Sequence, residues 1–178
     1  MSDDVSAVKN QFAVTRVFDV SVDNAWLAWS SSEQVMRWWG PAGFMSPTAA
    51  IDLREGGVSV VCLRAPEQYG GRETYSTLRY TKIEPRKRME FVLSLADRDG
   101  NKLTPTMLGL PAGIPVDLPY AIEFKEYASQ QTVVTVTAFG YASQLAIAVS
   151  RVALEQSLDK MAAILQVREP QLQLLGVT

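Results

Sequence analysis

The chain has 178 residues, of which 47% are hydrophobic and 20% are charged, and its formal net charge is −2. A chain of this size and composition is typical of one globular domain with a sizeable core. Its charges are interspersed and form no basic stripe, which argues against nucleic acid as a partner. The sequence has no histidine and one cysteine. We therefore expect no metal site, no cofactor and no internal disulfide, and any catalysis would depend on carboxylates, Arg, Lys, Tyr or bound water.

The beginning of the chain is polar and acidic, with the sequence Met1-Ser-Asp-Asp-Val5. It lacks the basic and apolar regions of a secretion signal, and no apolar run approaches the roughly 20 residues that span a bilayer. These features predict a cytoplasmic protein with no membrane partner.

The first predicted elements are a strand over 12–20 and two short helices. Arg16 interrupts the apolar alternation of the strand, so it pairs with an acid on a neighbouring strand or lies at an open sheet edge. Ser21 is placed to cap the first helix, and Ser31 with Gln34 forms a capping-box pattern at the start of the second. The sequence Trp38-Trp-Gly-Pro41 ends the second helix.

From Thr48 onward, apolar residues alternate with a period of two, which predicts a meander of antiparallel hairpins. Gly56 and Gly57 suit the first tight turn. The predicted strands cover 50–53, 58–64, 74–83, 88–95, 120–127 and 132–139.

The longest irregular stretch runs from 96 to 119 and is rich in proline and glycine. Loops of this length in a compact domain are usually functional or disordered. Apolar residues at Met107, Leu108, Leu110 and Ile114 favour a lid that covers other parts of the protein.

A long helix is predicted from about Ser143 to Gln166. Leu154, Leu158 and Met161 recur at helical spacing, which predicts a stripe packed on the sheet. The run 145–149 is apolar on all sides, so we expect that end to be covered on two sides. The chain is therefore divided into a flexible segment 1–11, a single domain 12–168 and a tail 169–178.

The predicted elements follow the order of the helix-grip fold, an α+β architecture: a strand, two short helices, a strand meander and a long helix. Several motifs resemble the START-like or SRPBCC superfamily, in the branch similar to the C-terminal domain of the activator of heat-shock protein 90 ATPase. The resemblance covers about 12–166 and rests on the segments 16–18, 26–29, 33–41, 52–57, 83–91 and 158–161. It implies a deep, largely apolar cavity between the sheet and the long helix.

Eleven residues are candidates for contact with a ligand in that cavity. They are Trp38, Trp39, Phe44, Arg54, Cys62, Arg64, Tyr75, Met107, Leu110, Leu154 and Leu158.

Several candidates have structural alternatives. Trp38 and Trp39 would either both pack and cap the short helix or place one indole at the cavity mouth. Arg54 would bind a carboxylate or phenolate ligand, or form a salt bridge within its turn. Cys62 fits a buried strand position better than a reactive thiol. Tyr75 and Tyr80 lie on opposite faces of one strand, so at most one faces the cavity.

The acids best suited to proton transfer, Glu90 and Glu123, alternate with apolar neighbours and are expected to face solvent. The leading hypothesis is therefore a protein that binds a small hydrophobic or aromatic molecule under the long helix. A cyclase- or hydrolyase-like enzyme acting on an aromatic or polyketide-type compound is the alternative, and a chaperone-binding module is a third. A homodimer is left open.

Overall fold

The computed structural model of the chain describes residues 10–166, in which an antiparallel sheet is combined with three helices. Residues 1–9 of the predicted N-terminal segment and the predicted tail 169–178 lie outside the described residues. The elements are β1 (Gln11–Phe18), α1 (Val22–Ser30), α2 (Ser32–Trp38), β2 (Ala49–Ala50), β3 (Val58–Arg64), β4 (Glu73–Glu84), β5 (Arg88–Ala96), β6 (Lys102–Leu103), β7 (Asp117–Ala128), β8 (Gln131–Phe139) and α3 (Gln144–Gln166).

The eight strands form one curved sheet in the order β1-β8-β7-β5-β4-β3-β2, and β6 pairs with β5. Every pairing is antiparallel. The predicted α+β helix-grip fold is confirmed. We call the sheet face that contributes to the core with the helices the inner face, and the opposite one the outer face.

Local capping places α1 and α2 where the sequence predicts them. The Ser21 hydroxyl accepts a hydrogen bond from the Asn24 amide at 3.3 Å, and the Ser31 hydroxyl accepts one from the Gln34 amide at 3.5 Å. Each bond satisfies an amide that has no partner within its helix. The two helices therefore begin one after the other and carry their tryptophans onto the inner face.

Two predicted segments differ from the structure. β2 has only two residues, Ala49–Ala50, instead of the predicted strand over 50–53. The next two backbone amides, those of Ile51 and Asp52, donate hydrogen bonds to the hydroxyls of Ser32 and Ser59 instead of to a neighbouring strand. The stretch 96–119 is also less irregular than predicted. It contains β6, a 3₁₀ turn at Pro105–Leu108 and the first residues of β7.

The long helix α3 lies against the inner face. Leu158 and Met161 are fully buried, which confirms the predicted stripe. Arg16 on β1 pairs with Asp159 of α3 at 2.7 Å, so its partner is an acid on the helix and not on a neighbouring strand. No helix in residues 10–166 is long and apolar enough to cross a membrane.

Candidate ligand-binding cavity

A cavity of about 230 Å³ lies between the inner face of the sheet, the α1–α2 region, the loop before β7 and α3. Its floor comes from alternate residues of β3, β4, β5 and β7, because side chains two apart on a strand share a face. The floor residues are Leu63, Ser76, Phe91, Leu93, Leu95, Leu118 and Tyr120.

One wall of the cavity is a group of three tryptophans with the loop that follows α2. Trp38 packs edge to face on Trp29 with ring centroids 4.7 Å apart, and its indole Nε1 donates to the Ala28 carbonyl at 2.7 Å. Trp39 lies 5.4 Å from Trp38. This wall consists of Trp29, Trp38, Trp39, Gly40 and Pro41.

The ammonium of Lys160 on α3 holds the loop of this wall. Its Nζ donates to the carbonyls of Gly40 and Phe44 at 3.0 Å and to those of Trp39 and Pro41 at 3.3 and 3.5 Å. Burial lowers the pKa of Lys160, while the carbonyl oxygens favour its charged form. One helix side chain therefore fixes the backbone of the loop that contributes to this wall.

The remaining walls come from the loop before β7 and from α3. Ser143 links them, because its hydroxyl donates to the Ala112 carbonyl at 2.9 Å and accepts from the Ala146 amide at 3.1 Å. The loop lines the cavity with Pro105, Leu110, Ile114, Pro115 and Val116, and the α3 region with Tyr141, Ser150, Ala153, Leu154 and Ser157.

The polar groups of these walls are neutral. Burial raises the pKa of both Tyr120 and Tyr141. The tyrosine hydroxyls therefore stay protonated at neutral pH. Within residues 10–166, no Lys, Arg, Asp or Glu lines the cavity.

Four of the eleven candidate residues, Trp38, Trp39, Leu110 and Leu154, line the cavity. Leu158 lies beside it in the core, where it is fully buried. Phe44 is half-buried next to Gly40.

Met107 is 63% exposed within the 3₁₀ turn, so its side chain does not cover the cavity as Leu110 does. Arg54 forms a salt bridge with Asp52, with Nε 2.9 Å from Oδ1, inside the turn before β3.

The other three candidates, Cys62, Arg64 and Tyr75, lie together on the outer face. Cys62 pairs with Tyr75 across β3 and β4, while Leu63 and Ser76 carry the opposite parity and line the cavity. Arg64 donates to Glu73 from Nη2 at 2.6 Å and from Nε at 3.0 Å. Burial raises the pKa of the Cys62 thiol, which agrees with a structural role.

Glu90 and Glu123 also lie on the outer face, where both pair with Arg88. Both were predicted to face solvent. The pairing register sets them opposite in parity to Phe91 and Ile122, and their side chains are 33% and 57% exposed, respectively.

Sequence reasoning missed much of the floor and the Tyr141 side of the cavity. The floor had a signal, since Phe91, Leu93 and Leu95 alternate on β5 and Leu118 and Tyr120 on β7. Tyr141 lies between β8 and α3 and had no periodic signal.

The fold and its cavity define a START-like, helix-grip protein. The chain belongs to the activator of Hsp90 ATPase homolog 1-like protein family, because the model of that family matches residues 19–166. No curated protein sequence matches the chain.

Solved structures share the fold at low identity. Protein Ms6760 from Mycobacterium smegmatis is 20% identical with a TM-score of 0.70, over 94% of this chain and 96% of that one. A protein from Arthrobacter aurescens is 19% identical with a TM-score of 0.74, over 99% and 96%. An AHSA1 protein from Silicibacter pomeroyi is 16% identical with a TM-score of 0.67, over 87% and 96%. At these identities the likeness shows the fold alone.

Proposed function

We propose that this protein binds a small, largely apolar molecule in the cavity between the sheet and α3. The observation that carries this proposal is a volume of about 230 Å³ enclosed mostly by aromatic and aliphatic side chains. Concave, mostly apolar sites with a few polar groups are typical of small-molecule binding. An apolar cavity of about 150 Å³ accepts benzene, so this one suits a one- or two-ring compound.

The same walls give less support to the cyclase- or hydrolyase-like alternative. General acid–base catalysis needs a group whose pKa lies near the working pH. Within residues 10–166 the cavity offers only tyrosine and serine hydroxyls, and burial raises the pKa of Tyr120 and Tyr141 further. No feature of the described residues specifically favours chaperone binding. The cytoplasmic location and the homodimer stay predictions from the sequence.

Two substitutions on α3 test the binding site. Leu154 lines the cavity, whereas Val152 is 53% exposed on the same helix. The variant Leu154→Trp should weaken binding of the probe naphthalene at least about tenfold, because the indole occupies the space that the probe needs. The matched variant Val152→Trp should bind naphthalene like the wild-type protein.

Isothermal titration calorimetry measures the three affinities, and the urea unfolding midpoint checks that both variants are folded. The proposal fails if the wild-type protein binds neither naphthalene nor its hydroxylated analogue 2-naphthol, or if folded Leu154→Trp binds naphthalene with unchanged affinity. Native mass spectrometry of freshly purified protein then identifies any small molecule that is retained.

A further inference from the structure

Unpaired buried polar atoms concentrate at the cavity. Three buried side-chain polar atoms in residues 10–166 have no hydrogen-bond partner: Trp29 Nε1, Ser46 Oγ and the Tyr141 hydroxyl. Two of these three belong to cavity-wall residues. Buried polar groups are nearly always paired, so an unpaired one calls for a specific explanation. A ligand atom that supplies the missing partner is one such explanation.

The Tyr141 side chain is 1% exposed, and two further hydroxyl-bearing side chains line the same cavity. Tyr120 and Ser150, both on the cavity wall, are close enough to affect the pKa of Tyr141, although neither meets hydrogen-bond geometry with its hydroxyl. We call Tyr120, Tyr141 and Ser150 the hydroxyl cluster. Three hydroxyls can both donate and accept, so the cluster can bind an oxygen of either type.

Two basic side chains of α3 have partners other than a ligand. The Arg151 guanidinium lies 5.1 Å from the Phe12 ring centroid and donates to the Ala13 carbonyl at 3.0 Å. The Lys160 ammonium is held by the loop carbonyls described above. Neither residue lines the cavity. An ionised ligand would therefore lose its hydration without gaining a counter-ion, which is strongly unfavourable.

We propose that the ligand bound in this cavity is a neutral one- or two-ring compound with a hydroxyl or carbonyl oxygen that hydrogen-bonds to the hydroxyl cluster through Tyr141. This inference rests on the binding function proposed above. The apolar walls hold the rings, and the hydroxyl cluster sets their orientation. Within residues 10–166 no Lys or Arg lines the cavity, so a carboxylate of the same size should bind much more weakly.

Three matched probes test the inference by isothermal titration calorimetry: naphthalene, 2-naphthol and 2-naphthoate. The wild-type protein should bind 2-naphthol about 3–10-fold more tightly than naphthalene, because one hydrogen bond is added. It should bind 2-naphthoate at least about 100-fold more weakly than 2-naphthol, because the carboxylate is buried without a partner.

The variant Tyr141→Phe should lose the preference for 2-naphthol over naphthalene, because it keeps the ring and removes the hydroxyl that the probe's oxygen would contact. Tyr75→Phe is the matched control, because it removes the same hydroxyl from the outer face of the sheet. It should keep the preference. If Tyr141→Phe does not fold, Ser150→Ala provides the second test of the cluster and should reduce the preference.

Distinct results separate this inference from the binding function. If the wild-type protein binds naphthalene but binds 2-naphthoate as tightly as 2-naphthol, the neutral-ligand inference is overturned and the binding function stays in place. A preference for 2-naphthol that persists in both Tyr141→Phe and Ser150→Ala also overturns it. No binding of any probe to the wild-type protein overturns both proposals.

Discussion

The two faces of the sheet use their polar residues differently. On the outer face, ionised side chains pair with one another: Arg64 with Glu73, and Arg88 with Glu90 and Glu123. On the inner face, the cavity is lined by apolar side chains and neutral hydroxyls. Exposed ion pairs are screened by water and contribute little. In the part of the chain that the structure describes, charged side chains therefore lie where solvent reaches them and do not line the cavity, where a ligand would bury them.

This difference indicates which face can recognise a ligand by shape. The inner face offers a concave apolar surface under a helix and a loop, whereas the outer face offers a polar surface open to solvent. Stability should accordingly depend much more on inner-face than on outer-face side chains. The four predictions below test this contrast.

The largest effect is expected from removing an aromatic ring of the inner face. Phe91 is 2% exposed and packs on Tyr120 and Tyr80 with centroid distances of 5.3 and 6.0 Å. The substitution Phe91→Ala should reduce the free energy of unfolding by about 3–5 kcal/mol through lost burial and cavity enlargement. Urea unfolding followed by fluorescence measures it. The control Tyr75→Ala on the outer face should cost clearly less, and equal losses would contradict the contrast.

A smaller loss of stability is expected when a methyl group is added to the loop that covers the inner face. Gly113 has φ of +104°, and a Cβ there would lie 2.9 Å from the Ser143 backbone nitrogen. Gly113→Ala should therefore destabilise by about 2–3 kcal/mol and weaken naphthalene binding. Gly109 also has positive φ, at +76°, but open space around it. Gly109→Ala should cost only about 1 kcal/mol, and a loss equal to that of Gly113→Ala would rule out the close approach.

The third prediction compares the stability lost when each of two lysines is replaced. Lys160→Met removes the donor to four loop carbonyls and should cost about 1–2 kcal/mol. Naphthalene binding should weaken because the loop that contributes Trp39, Gly40 and Pro41 to the cavity wall loosens. Lys82→Met breaks only an outer-face ion pair with Glu84 and should cost about 0–1 kcal/mol without affecting binding. Unchanged binding in Lys160→Met would show that the lysine does not position the loop.

The smallest effect is a pH dependence of stability. Burial raises the pKa of Tyr80, Tyr120 and Tyr141 above the usual tyrosine value of about 10. The unfolded state therefore loses these protons first, so stability is fully present below about pH 9 and falls as the pH rises through 10. Replacing one of them, as in Tyr141→Phe, should reduce the fall at pH 10 by about 0.4 kcal/mol, or RT ln 2.

Urea unfolding midpoints between about pH 7 and 10.5 measure this dependence. A midpoint that stays constant across pH 10 would mean that these hydroxyls titrate alike in the folded and unfolded states.

Much of the fold follows from local sequence patterns. Ser21 and Ser31 cap their helices through their own hydroxyls, and Leu158 and Met161 lie on one face of a regular helix. These interactions depend on residues a few positions apart, so the order of strand, two helices, meander and long helix can be predicted from the chain alone.

The position of the cavity could not be predicted from the sequence, because it depends on tertiary structure. β3 is apolar on both faces, with Val58 and Val60 on one face and Val61 and Leu63 on the other. Alternation therefore placed Cys62 and Arg64 on the face of Val58 and Val60, but it did not show which face the helices would cover. The helices and the loop after α2, whose Gly40 lies against Leu63, cover the inner face, while Val58 and Val60 on the other face stay partly exposed. Tertiary packing also brings Tyr120, Tyr141 and Ser150 to the same cavity. Sequence alternation determines which side chains share a face, and only the placement of the helix decides which face becomes the cavity.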